Sequence, residues 1–263
     1  MMYFDSHAHY YDARFEKECE EGVDALLTRL FSTTVSGIVN VGTAPDTCRA
    51  AARQAARYPK MYTALGIHPT DGQALSDPDV ALREIREMIL APRNKCVAIG
   101  EIGLDYHYPD TDKEKQAYLF ERQLSLAAEL GLPVVIHDRE AHGDVMDVIL
   151  RHPRVRGVLH SFSGSPEMAG ELVRAGYNIS FSGTLTFQNA RRTVESAALV
   201  PLDRILIETD CPYLAPHPLR GTLNHSGNLS YTCARLAGIL GMDEAQAARL
   251  TEENARRFFS LGE

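Results

Sequence analysis

Six residues of this chain have the chemistry of metal ligands: His7, His9, Glu101, His137, His160 and Asp210. Most of them directly follow a short apolar run. An ionisable group at the end of a buried run is costly unless it is paired or bound to a metal. Imidazole with carboxylate suits zinc, manganese, iron or nickel, whereas a carboxylate-heavy set suits magnesium. His7 and His9 lie two apart, so on extended chain both side chains point to one face. Glu101 has the reach to bridge two ions, and Asp210 can hold one ion while accepting a proton from its water. A pair of ions roughly 3.5–4 Å apart activates water and stabilises an in-line displacement at phosphorus. Taken singly, the signals are weak. His7 and His9 alone read equally well as a hydrogen-bonded pair, and His137 or His160 alone reads as a satisfied core histidine. The combination carries the argument, because these groups end five different apolar runs.

Such a set needs elements that bring it to one place. Short apolar runs occur at 2–5, 35–41, 61–65, 96–99, 133–136, 157–159, 178–181 and 204–207. Continuous and often β-branched, they predict parallel strands buried on both faces. Amphipathic stretches between them predict helices at 15–30, 46–57, 80–90, 113–130, 140–150, 167–174 and 190–198, with two more at 228–240 and 243–259. Ser165-Pro166-Glu167 and Ser76-Asp77-Pro78 have the form of helix starts, a capping residue followed by proline. Strands alternating with helices over this length predict an α/β fold, a single (β/α)8 TIM barrel occupying 1–263. Its metal site would lie at the C-terminal ends of the strands. A doubly wound open sheet is the rival. It would place a glycine-rich phosphate loop after the first strand, where this chain has Asp5-Ser6-His7-Ala8-His9.

Composition narrows the function classes. With 263 residues, 44% hydrophobic and 24% charged, the chain can bury a sizeable core. No apolar run approaches a membrane span, and the first residues lack the basic and apolar regions of a signal peptide. Five cysteines, scattered and without a C-x-x-C, predict reduced thiols in a cytoplasmic setting. The net charge of −8 speaks against gripping nucleic acid through a broad basic surface. That count omits bound cations, which would concentrate positive charge at one point.

Together the motifs resemble the TatD family of metal-dependent deoxyribonucleases, within the amidohydrolase-like barrels. The resemblance runs from Tyr3 to about Phe259. Tyr3-Phe4-Asp5-Ser6-His7-Ala8-His9 is similar to the family's N-terminal signature. Gly66-Ile67-His68-Pro69, Gly100-Glu101-Ile102-Gly103-Leu104-Asp105, His137-Asp138-Arg139-Glu140-Ala141 and His160-Ser161-Phe162-Ser163-Gly164 follow in the family's order. The segment from Leu199 through Ile207-Glu208-Thr209-Asp210-Cys211-Pro212 to Pro216 is similar to its C-terminal signature.

The resemblance implies two divalent ions (magnesium, manganese or zinc), one held by His7, His9, Glu101 and Asp210. The other would be held by Glu101, His137 and His160. It implies hydrolysis of DNA phosphodiester bonds, often as an exonuclease, with Asp210 orienting the attacking water and taking its proton. Glu101 and Asp210 are therefore the expected catalytic carboxylates. The partner would be DNA, as single strands or strand ends, and the protein a monomer. A related barrel hydrolase acting on an ester, amide or small phosphoester is the alternative.

His68 reads either as a contact to the scissile phosphate or as a loop histidine capping local backbone. Arg139 reads either as a phosphate partner or as a solvated first-turn residue. Glu208 would steady a ligand or orient Asp210. The family's Arg-Gly-x-Arg-Asn-Glu-Pro loop appears here as Arg220-Gly221-Thr222-Leu223-Asn224-His225-Ser226. Leu223, His225 and Ser226 depart from it, at a place expected to lie at the barrel mouth. Losing an arginine there weakens one phosphate contact, and His225 reads either as a replacement contact or as a solvent-exposed loop residue.

Overall fold

Each apolar run forms a parallel strand, and the amphipathic stretches return the chain along the outside. The computed structural model describes residues 1–262. The strands are β1 (Tyr3–Ala8), β2 (Val35–Gly42), β3 (Met61–Leu65), β4 (Cys96–Asp105), β5 (Val134–Arg139), β6 (Gly157–Leu159), β7 (Asn178–Phe181) and β8 (Ile205–Ile207). The helices are α1 (Ala13–Glu18), α2 (Val23–Thr33), α3 (Pro45–Ala55), α4 (Pro69–Gln73), α5 (Pro78–Leu90), α6 (Lys113–Leu130), α7 (His142–Leu150), α8 (Pro166–Arg174), α9 (Arg191–Leu199), α10 (Leu229–Leu240) and α11 (Glu244–Phe258). The strands pair in chain order, β1 through β8, every pair parallel. The seam between β8 and β1 closes just past β8, where Asp210 N–H donates to His7 O (2.9 Å) and His9 N–H to Cys211 O (2.7 Å). The result is the expected (β/α)8 barrel, and its closing hydrogen bonds belong to ligand-bearing segments.

Two apolar layers hold it. Inside the barrel, Phe4, Val39, Val41, Ala64, Ala98, Val135, Val158 and Leu206 pack together, joined by Phe258 and Phe259 at the end of α11. Between strands and helices lies a larger core that includes Ile99, Ile136, Phe120 and Leu124. Burying a side chain of this size contributes about 1.5–3 kcal/mol, so a polar residue among them requires a partner. The predicted helix starts are present: Asp77 and Ser165 accept backbone N–H bonds, each with proline following. No helix among the described residues is long and apolar enough to cross a membrane.

The structure departs from the sequence reading in two ways that matter for the site. The helix expected over 15–30 is broken into α1 and α2 at Gly22, whose φ of 76° lies outside any right-handed helix. The apolar periodicity ran on because Phe15, Leu26, Leu27 and Leu30 all face one cluster. In addition, β1, β4 and β5 continue beyond their apolar runs through polar residues. In β4 the interruption is Gly103, at φ 141°, where a Cβ would sit 2.0 Å from His137 O. That glycine permits the close approach of β5, and the strand, expected to end at 99, runs on to Asp105.

Candidate metal centre

The extended strands carry the candidate ligands. His7 lies in β1 with His9 just beyond it, Glu101 in β4 and His137 in β5. His160 follows β6, and Asp210 follows β8. All six converge at one end of the barrel, and Glu101 is at their centre, only 3% exposed. Its two oxygens face different groups. Oε2 lies 3.3 Å from His7 Nε2 and 3.8 Å from His9 Nε2. Asp210 Oδ1 completes that side, 3.2 Å from His9 Nε2 and 3.6 Å from His7 Nε2. Oε1 lies 2.8 Å from His137 Nδ1 and 2.9 Å from His160 Nε2. Donor atoms lie within 4.8 Å of one another in the sets His7, His9 and Glu101; Glu101, His137 and His160; His7, His160 and Asp210; and His68, Asp105 and His137.

Three of the four outward nitrogens are held as a metal site requires, which fixes ring orientation and basicity. The fourth, His7 Nδ1, is buried without a hydrogen-bond partner among the described residues. His9 Nδ1 lies 2.8 Å from Val41 O. His137 Nε2 lies 3.1 Å from Asp105 Oδ2, and His160 Nδ1 lies 3.2 Å from Glu208 Oε1. These contacts leave His9 Nε2, His137 Nδ1 and His160 Nε2 free to serve as lone-pair donors. Burial would lower the pKa of all four histidines, and His7 is lowered, whereas His9 is raised despite it by Asp210 and Glu101. His137 is raised by Asp105 and Glu101, and His160 is raised well above the ordinary value by Glu101 and Glu208. Burial alone would raise Glu101, but the surrounding rings hold it well below the usual carboxylate range. The site is thus anionic at its centre and ringed by groups that take either protons or a cation.

Above it opens a cavity of about 560 Å³. Its lining contains five carboxylates (Asp12, Asp71, Glu101, Asp105 and Asp210) against one arginine, Arg139. An anionic substrate would be repelled from such a mouth unless cations occupied it. Arg139 is exposed at the rim, its guanidinium 5.8 Å from the Tyr108 ring centre. His68 caps local backbone and also faces the centre. Its Nδ1 accepts from Thr70 N–H (3.3 Å), capping α4, while Nε2 faces Glu101 Oε1 at 3.5 Å. Burial pushes its pKa down to about 3, so the ring is neutral with its proton on Nε2. His68 therefore presents an N–H donor to the cavity and has no lone pair there for a metal.

The sequence matches the family described as TatD related DNase over residues 4–260. The chain belongs to that family. It is 37% identical over 262 residues to the uncharacterized metal-dependent hydrolase YabD of Bacillus subtilis (strain 168), covering 99% of this chain and 100% of that one. It is 35% identical over 268 residues to a metal-dependent hydrolase named TatD from Mycobacterium tuberculosis, covering 98% of each. The crystal structure of the TatD homologue YjjV from Escherichia coli K12 superposes with a TM-score of 0.90 at 31% identity, over 99% of this chain and 98% of that one. The TatD-related protein described here is accordingly a metal-dependent hydrolase.

Against the family pattern, the atypical loop is placed differently from its expected position. None of Leu223, Asn224, His225 or Ser226 lines the cavity. Leu223 packs on the apolar cluster around Tyr10 and Phe15, and His225 turns its ring back to accept from Gly227 N–H. Asn224 and Ser226 are fully buried. Asn224 Nδ2 donates to Thr209 O and Tyr213 O, and Ser226 Oγ to Asp5 Oδ2. The loop lies beneath the Asp210 segment because its polar groups are consumed in holding that segment.

Two residues of this TatD-related site escaped the sequence reading. Asp105 lay past the expected end of β4, although its place four residues after Glu101 on one strand was a usable signal. Asp5 was hidden inside an apolar strand. Its carboxylate, 0% exposed, accepts from His7 N–H, Thr209 N–H, Thr209 Oγ and Ser226 Oγ, and burial still pushes its pKa up to about 6. These bonds secure the turn that holds Asp210 at φ 56°, a conformation costing a non-glycine residue about 1–3 kcal/mol. Glu208 is placed beside His160 and Ser161, not beside Asp210.

Proposed function

We propose that this hydrolase is a deoxyribonuclease that cleaves phosphodiester bonds in single-stranded DNA or at strand ends, using two divalent ions. The observation that carries the reading is the division of Glu101, whose oxygens each face a separate histidine group. His7, His9, Glu101 and Asp210 would hold one ion, and Glu101, His137 and His160 the other. The imidazole-rich set fits zinc or manganese better than magnesium. When bound, the ions supply Lewis acidity and the positive charge that the acidic mouth lacks.

The remaining work falls to the chain. Asp210, the more exposed of the two central carboxylates, takes the proton from the attacking water. His68 Nε2–H donates to a non-bridging phosphate oxygen, and Arg139 pairs with phosphate charge at the rim. The family description as a DNase supplies the substrate class. Local cationic capture of this kind is compatible with the overall charge of −8 and predicts weak non-specific duplex binding.

The test is metal analysis of the purified protein, coupled to hydrolysis of single-stranded DNA, duplex DNA, RNA, a lactone and an amide. Bound divalent metal is expected, with single-strand cleavage abolished by chelator and restored by metal. Turnover of the lactone or amide with none on DNA would transfer the reading to a different hydrolase on the same centre. Metal binding without any turnover would make it a binding protein.

A further inference from the structure

Most exposed aromatic side chains of a soluble protein lie on its outer surface without consequence. Two exposed tyrosines here, Tyr108 (47%) and Tyr213 (44%), instead line the cavity above Glu101 and Asp210. They come from opposite sides of the mouth. Tyr108 follows β4 and Tyr213 follows β8, and these strands stand four apart in a ring of eight. Each ring has an arginine near it: Arg139 lies 5.8 Å from the centre of Tyr108, and Arg14 lies 5.8 Å from the centre of Tyr213. The Tyr213 hydroxyl is anchored to Asp12 Oδ2 at 2.6 Å, which holds its ring in place.

We propose that Tyr108 and Tyr213 are stacking platforms for the nucleobases on either side of the scissile phosphate, so that a single strand lies across the mouth from the β4 side to the β8 side. The inference rests on the nucleic-acid reading above and sharpens it to unpaired strands. A stacking contact needs an unstacked base, which a duplex interior does not offer, and every base has a face to stack. The two nearby arginines add cation–π and phosphate-directed charge. The cavity, at about 560 Å³, is of small-ligand size. It therefore suits a phosphate with its flanking nucleotides and not a double helix.

Steady-state kinetics of the metal-loaded enzyme on a single-stranded oligonucleotide and on dimethyl phosphate, a methyl ester with neither a base nor an aromatic ring, test the proposal. Tyr108→Ala and Tyr213→Ala are each expected to raise KM for the oligonucleotide roughly 5- to 150-fold, the range that loss of one base–aromatic stack implies. That loss should exceed any loss on the methyl ester at least about five-fold. Tyr108→Phe, which keeps the ring, should restore most of the oligonucleotide KM, and Tyr213→Phe, which keeps the ring but loses the Asp12 anchor, should restore part of it. Equal losses on both substrates, an unchanged oligonucleotide KM, or Phe variants as poor as Ala would each overturn the platforms while leaving the nuclease intact. Wild-type turnover of the methyl ester with none of the oligonucleotide would overturn the nucleic-acid reading itself, and the platforms with it.

Discussion

The two sides of Glu101 differ in what stands behind them. On the Oε2 side, His7 is fully buried and His9 leans on a backbone carbonyl, Val41 O. On the Oε1 side, His137 and His160 lean on carboxylates, Asp105 and Glu208. A backbone acceptor orients an imidazole with little charge, whereas a carboxylate orients it and makes it more basic. On the first side burial holds His7 neutral while Asp210 raises His9, and on the other side carboxylates raise both histidines. The centre is asymmetric although its ligand types look symmetric in the sequence.

The largest expected effect abolishes the distinction. Glu101→Gln removes the charge that both sides share and places an amide N–H₂ toward histidines. Activity should fall by at least about 10³-fold, more than loss of one preorganised donor usually costs. Metal content should fall on both sides while circular dichroism stays that of the native barrel. Retention of one full equivalent of metal would show that the sides do not depend on a common bridge.

Asp105→Asn and Glu208→Gln separate the sides. Each removes the charge behind one histidine of the Oε1 side, and a loss of about 10- to 100-fold in metal affinity is expected there. Isothermal titration should show one weakened and one unchanged binding event. Weakening of both events by the same factor would contradict the asymmetry.

pH provides a milder version of the same separation. His137 and His160 have pKa values raised by their carboxylates, so without metal they hold protons to higher pH than an ordinary imidazole. A ligand must be neutral, so falling pH favours the protonated, metal-free form. Both histidines of the Oε1 side are raised, against one of two on the Oε2 side, where Asp210 raises His9 and burial lowers His7, so metal on the Oε1 side should be lost first as pH drops. Stoichiometry measured across decreasing pH should pass through a partly loaded state; simultaneous loss from both sides would count against the comparison.

Much of this centre was legible in the sequence because metal ligands are restricted in type and alternating apolar runs are restricted in fold. His7, His9, Glu101, His137, His160 and Asp210 stood out as polar groups where burial is costly. Their supports did not stand out. Asp105 lay past the expected strand end at 99, beyond Gly100 and Gly103, and the approach of His137 O explains why Gly103 belongs to the strand. Asp5 sits within an apolar strand, and its partners Thr209 and Ser226 are over two hundred residues away in the chain. Local pattern reports which residues are unusual, whereas the groups that satisfy them are chosen by long-range packing.

The atypical loop yields the smallest expected effect and the sharpest contrast between family pattern and position. Leu223 stands where the family commonly has an arginine, so a surface reading predicts that Leu223→Arg improves substrate capture. In the structure Leu223 is half-buried and packs on the apolar cluster around Tyr10 and Phe15, away from the cavity lining. The arginine would gain no phosphate there and would displace apolar contact, at a cost of about 1–2 kcal/mol. Thermal unfolding should shift downward accordingly, with the oligonucleotide KM unchanged within about two-fold, a margin of about 0.4 kcal/mol. A KM that falls by more than this would mean that residue 223 reaches the mouth after all. In that case the loop, and not the tyrosine-lined rim, would deserve the next substitutions.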